Sequence, residues 1–158
     1  MFPIPEPIAE FLLQHHVLSL ATQDKDGLWA ASCFYAADLT KGRLLLLSSL
    51  NTRHGAAMLA SPRVAGTISG QPETLTEIAG VQFTAQATLL SDGDAKAALA
   101  LYCRRHPLAR LGRHPIWSLS LHSLKHTSNR WVFGQKTHWH RDAGEMLPQV
   151  VDDAGKSQ

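Results

Sequence analysis

Leu44-Leu45-Leu46-Leu47-Ser48-Ser49-Leu50-Asn51-Thr52-Arg53-His54-Gly55 is the stretch that decides how this chain is read. Four leucines in a row read as a buried strand, and the polar residues after them turn it into a short helix starting at Arg53 and His54. Helix N-terminal amides, hydroxyls and a guanidinium converge at such a turn. Together they favour an anion, most commonly a phosphate. A phosphorylated ligand is one reading of the turn; a capped helix with a solvated arginine is the other.

The 158 residues suit one domain with a single full core. A hydrophobic share of 44% against 18% charged residues describes a soluble globular chain, and a net charge of +2 argues against nucleic acid. No run of residues approaches membrane-spanning length, and the N-terminus lacks a basic start followed by a long apolar run. A cytoplasmic protein is expected. Cys33 and Cys103 sit in apolar surroundings and are expected to be reduced core residues.

Working outward from the opening stretch, the chain reads as a meander. A short helix over residues 8–16 precedes strands over 17–22 and 28–38, joined at the Asp26-Gly27 turn. Thr40-Lys41-Gly42 turns into the strand over 43–50. Thr52 caps the next helix, whose apolar run over 56–60 is stopped by Pro62. Strands follow over 64–69 and 81–89. In the latter, Val81, Phe83, Ala85, Ala87 and Leu89 alternate with Gln82, Thr84, Gln86 and Thr88, so its polar face borders water or a ligand cleft. A helix over 95–105, a strand over 117–122 and a seventh strand at Trp131-Val132-Phe133 complete the set. Residues 1–142 are expected to form one domain and 143–158 a loose tail. The fold class is α+β, with six or seven antiparallel strands closed or partly closed into a barrel.

Chemical motifs are sparse. There is no nucleophile elbow, phosphate-binding glycine loop or dinucleotide fingerprint, and no buried carboxylate pair for glycoside hydrolysis. His138 and His140 would share one face of a strand, a spacing that suits a metal or haem iron. No cysteine or carboxylate stands near them at ligand spacing, so no metal site is expected. Trp139, read as exposed, either closes a core or interface or covers a planar ligand ring. No side chain stands out as an acid–base catalyst.

The order of parts resembles the FMN-binding split barrel of the pyridoxamine 5′-phosphate oxidase superfamily, in particular its small YhbP-like bacterial branch. The resemblance rests on Ala31 to Tyr35, Thr52-Arg53-His54, Val64-Ala65-Gly66-Thr67, Gly70-Gln71-Pro72, Gly80-Val81-Gln82-Phe83 and Phe133-Gly134-Gln135-Lys136, in that order. It runs from about residue 8 to 141.

The resemblance implies FMN as cofactor and a homodimer with its two flavin sites at the subunit interface, acting as an oxidoreductase on a small molecule. The alternative is a non-catalytic flavin or haem carrier or sensor. Thr52 and Arg53 match the phosphate-gripping turn, with His54 where that family usually has lysine, and Ser48 matches a hydroxyl beside the phosphate. Ser32 and Phe34 lie on the strand that passes the flavin ring, Gln82 on the strand that hydrogen-bonds it, and Trp139 is a candidate cover. The oxidase's C-terminal arginine–histidine signature has no counterpart, and Arg141 is the one replacement in reach. Around the expected ring these residues supply little positive charge, so efficient oxidation of pyridoxamine 5′-phosphate is not expected.

Overall fold

The computed structural model describes residues 1, 3–130, 134–142 and 144–146. Helix α1 (Glu6–Gln14) precedes strands β1 (Val17–Asp24), β2 (Gly27–Phe34), β3 (Ala36–Asp38) and β4 (Arg43–Leu47). Helix α2 (Arg53–Ala60) leads into β5 (Arg63–Ser69) and β6 (Ala79–Leu89), helix α3 (Asp92–Arg105), β7 (Ile116–Ser128), β8 (Gln135–His140) and β9 (Gly144–Met146). All pairings are antiparallel. The sheet runs β2-β1-β5-β6-β7-β4-β3, with β8 branching from β7 and β9 from β8. This is the curled, split-barrel sheet that the sequence predicts.

Two tight turns rest on glycine. Gly27 (φ 113°) and Gly42 (φ 59°) adopt left-handed backbone that a Cβ would disfavour, which sharpens the β1–β2 and β3–β4 hairpins. The single strand expected over 28–38 is broken at Tyr35. Its side chain turns into the core, its hydroxyl donates to Leu12 O at 2.7 Å, and its amide donates to His16 O at 2.8 Å. Those bonds tie the break to the end of α1.

The leucine run explains β4. Leu44 and Leu46 enter the main core with Leu18, Leu20, Phe83, Trp117 and Leu119. Leu45 points the other way, into a smaller cluster with Ala36, Ala98, Tyr102 and Ile116 beneath α3. A strand buried on both faces needs no alternation, hence four leucines in succession. In β6, by contrast, burial alternates residue by residue, with Gln82, Thr84, Gln86 and Thr88 outward as expected.

Three expectations change at the C-terminal end. Strand β7 continues six residues past the expected end at His122, to Ser128. Its pairing with β8 and β6 keeps it in the sheet. Trp139 is not exposed: it is 0% accessible and lies in the main core, because β8 turns that face of the strand inward. Residues 144–146 of the expected tail form β9 against β8. The strand expected over 131–133 lies outside the described residues, as do residues 147–158. Among the described residues, no helix is long and apolar enough to cross a membrane. Cys33 and Cys103 are buried and free, as expected.

Candidate functional site

The β4–α2 turn is held in place through the backbone of Ser48. Ser48 N donates to Pro115 O at 3.1 Å, and the Trp117 indole donates to Ser48 O at 3.0 Å. Thr52 then caps α2. Its hydroxyl donates to Ser49 O at 2.8 Å and accepts from Gly55 N at 3.0 Å. Gly55 is required there, since a Cβ would sit 2.1 Å from Ser49 O and 2.9 Å from Thr52 Oγ1.

This frame brings three of the predicted site residues together. Ser48 Oγ lies 2.8 Å from His54 Nε2 and 3.2 Å from Thr52 Oγ1. Ser48 is buried, and burial also pushes the His54 pKa below its ordinary value, which favours the uncharged imidazole. Among the described residues, the first two amides of α2, those of Arg53 and His54, have no hydrogen-bond partner. Unpaired amides at the positive end of a helix beside a hydroxyl and an imidazole suit the oxygens of a phosphate.

Arg53 departs from its expected geometry. Its Nε donates to Asp24 Oδ2 at 2.8 Å and its Nη2 to Asp24 Oδ1 at 3.1 Å, across the tip of the β1–β2 hairpin. Its guanidinium lies 4.5 Å from the ring centre of Trp29 on the same hairpin. The Arg53 hydrogen bonds draw the Asp24 pKa down to about 2. Asp24 and Trp29 are therefore part of the site. The sequence shows them only as hairpin residues, because their approach to α2 depends on how the hairpin docks.

The other predicted residues lie elsewhere. Ser32 and Phe34 are exposed on the outer face of β2 and Gln82 on the outer face of β6. Strand register places Ser32, Ser19, Thr67, Gln82, Lys125 and His138 in one transverse row. Lys136 and His140 flank His138 on the same face of β8, and with Lys125 they lower its pKa, after burial. Positive charge therefore stands beside Gln82, where little was expected. Lys125 is a sequence neighbour of no predicted site residue, and only the register brings it beside Gln82. His138 and His140 do share a face, but no third histidine, cysteine or carboxylate joins them among the described residues.

Trp139 is core packing, and Arg141 is committed to the backbone. Arg141 Nη2 donates to Gly42 O at 2.6 Å and Nε to Leu121 O at 2.7 Å, fastening the β3–β4 turn to β7. Arg141 thus does not stand free as the replacement for a second phosphate site.

The sequence profile of the family described as pyridoxamine 5′-phosphate oxidase matches residues 4–127. The chain belongs to that family. A UPF0306 protein of Haemophilus ducreyi is 43% identical over 143 residues, covering 89% of this chain and 98% of the relative. Among solved structures, a heme binding protein from Mycobacterium smegmatis superposes with a TM-score of 0.72 at 20% identity. That match covers 90% of this chain and 62% of the other. A FAD-binding protein from Mesorhizobium loti superposes at 0.63 with 15% identity, covering 75% and 87% of the two chains. At such identities the two structures speak for the fold.

Proposed function

We propose that this chain binds FMN through the β4–α2 turn and works as a cytoplasmic, homodimeric, flavin-dependent oxidoreductase on a small molecule. One observation carries the reading: Ser48, His54 and two unpaired helix amides converge at the start of α2, with Arg53 alongside. That donor set fits a phosphate terminus. Bound flavin would supply hydride or electron transfer. The chain's own part is to bind the phosphate and orient the ring.

The separation of site residues supports the dimer. Ser48, Thr52, Arg53 and His54 lie at the start of α2, whereas Ser32, Phe34 and Gln82 lie on the outer sheet face. A cofactor that touches both groups takes one from each of two copies, which is the arrangement the family resemblance implies.

A haem carrier is the second reading, favoured by the half-buried His138 and His140 on one face of β8. The absorption spectrum of purified protein, before and after FMN is added, separates the two. Flavin bands that shift on binding, and bleach with a reductant, support the proposal. A Soret band with no flavin uptake supports the carrier.

A further inference from the structure

Little positive charge is free at the phosphate turn. Burial pushes the His54 pKa down, and the charge of Arg53 is matched by Asp24 through two hydrogen bonds of 2.8 and 3.1 Å. Among the described residues, the guanidinium makes no hydrogen bond to Ser48, Thr52 or His54. It faces the hairpin instead, with Trp29 against its flat side. Residues 53 and 54 are successive in α2, so their side chains leave the helix about 100° apart. The arginine that should meet the phosphate is thus engaged beside the cradle rather than in it.

We propose that Asp24 is the specificity gate of this site: its carboxylate competes with the ligand's phosphate for Arg53, so that dianions displace it and monoanions do not. The proposal rests on the phosphate reading of the β4–α2 turn and adds the residue that sets its selectivity. Exchanging one carboxylate for a ligand of single charge leaves the Coulomb energy of Arg53 almost unchanged, whereas a phosphate dianion doubles the opposing charge. Asp24 stays ionised throughout the neutral range, since its pKa is drawn down to about 2 by Arg53. The exchange therefore needs no proton. Trp29 reports it, because the guanidinium leaves the indole face when Arg53 swings to the ligand.

Asp24→Asn isolates the effect. Asparagine keeps the carbonyl oxygen that accepts from Asp26 N at 2.9 Å, so the hairpin turn is retained, and it removes the charge. Asp26→Asn is the matched control. It makes the same change in net charge at a carboxylate bonded to Lys25 rather than Arg53. Binding of FMN and of inorganic phosphate is measured for wild type and both variants by calorimetry. Trp29 fluorescence is followed in parallel, and a Trp29→Phe variant identifies its signal.

The expected result is a gain of about fivefold in affinity for both ligands in Asp24→Asn, the equivalent of an exposed ion pair removed from the competition. Asp26→Asn, whose carboxylate acts on Arg53 only through space and more weakly than Asp24, should gain clearly less. Phosphate should alter Trp29 emission in wild type, and acetate should not. Equal or weaker binding by Asp24→Asn would mean that the carboxylate steadies Arg53 for the ligand, and would overturn the gate. If no protein takes up FMN but phosphate still shows the gain, the flavin reading falls and the gate stands. If none responds to phosphate, the gate falls too.

Discussion

Gly55 shows how much of this site depends on one missing Cβ. Ser49 O would lie 2.1 Å from that atom, closer than any real contact, and the obstacle is backbone that cannot rotate away. Gly55→Ala should therefore push α2 off the turn and break the Gly55 N to Thr52 Oγ1 bond. A stability loss of about 2 kcal/mol is expected in chemical unfolding, typical of an overpacked position. Wild-type stability in this variant would show that the turn is softer than its geometry indicates.

At the same scale, the sequence is an uneven guide. Thr52, Ser48 and His54 are legible because a cap, a strand end and a helix start are local patterns. Asp24 and Trp29 are not, because their role comes from a hairpin that closes on a helix 29 residues later. The burial of Trp139 is hidden for a related reason. Nothing local to residues 138–140 says which face of β8 meets the core.

At the scale of elements, β4 was legible from its leucines, whereas the clamp that fixes α3 to it was not. Arg43, with 6% of its side chain exposed, donates from Nε to Asp38 Oδ2 and forms a fork with Asp94 at the start of α3. Lys41 adds a further bond to Asp94. Hydrogen bonds from Arg43 and then Lys41 hold the Asp94 pKa well below the usual carboxylate range. Burial pushes the Asp38 carboxyl up, but Thr40 and Arg43 hydrogen bonds outweigh it and the net direction is down.

Folded pKa values that lie below their unfolded ones mean stability that is fully present above the unfolded value, about 3.9. It is lost as pH falls through the folded one. Arg43→Met should leave Asp38 buried without its cation and cost about 3 kcal/mol at pH 7. The gap from wild type should narrow as pH falls below about 4. A gap that holds constant with pH would mean that packing, and not charge, is what Arg43 contributes. The strand break at Tyr35 and the long β7 were likewise hidden, the first in a bond to α1 and the second in pairing partners far along the chain.

At the scale of the whole molecule, the order of weak motifs was enough to place the chain in its family, since six in succession leave few other topologies. What the order cannot show is which surfaces remain uncovered. Helix α3 covers the outer side of β4, but β2 exposes Leu28 at 79% and Phe34 at 60% beside the polar row that ends in Lys125 and His138. Apolar residues on an edge strand call for a partner. A two-fold dimer burying on the order of 2,000 Å² in total is expected to cover them. Light scattering at micromolar concentration should return twice the 17.3 kDa chain mass, and a monomer under those conditions would contradict the dimer.

If the β4–α2 turn grips the phosphate of FMN, an FMN titration of wild type against Arg53→Ala will show it. Truncating Arg53 removes the cation that meets the phosphate and leaves Asp24 as an unpaired carboxylate beside it. Both effects oppose the ligand. Wild type should bind saturably, and the variant should lose about 2 kcal/mol, roughly thirtyfold in affinity. Riboflavin, which lacks the phosphate, should bind the two proteins alike. FMN binding unchanged by Arg53→Ala would mean that the phosphate is held elsewhere.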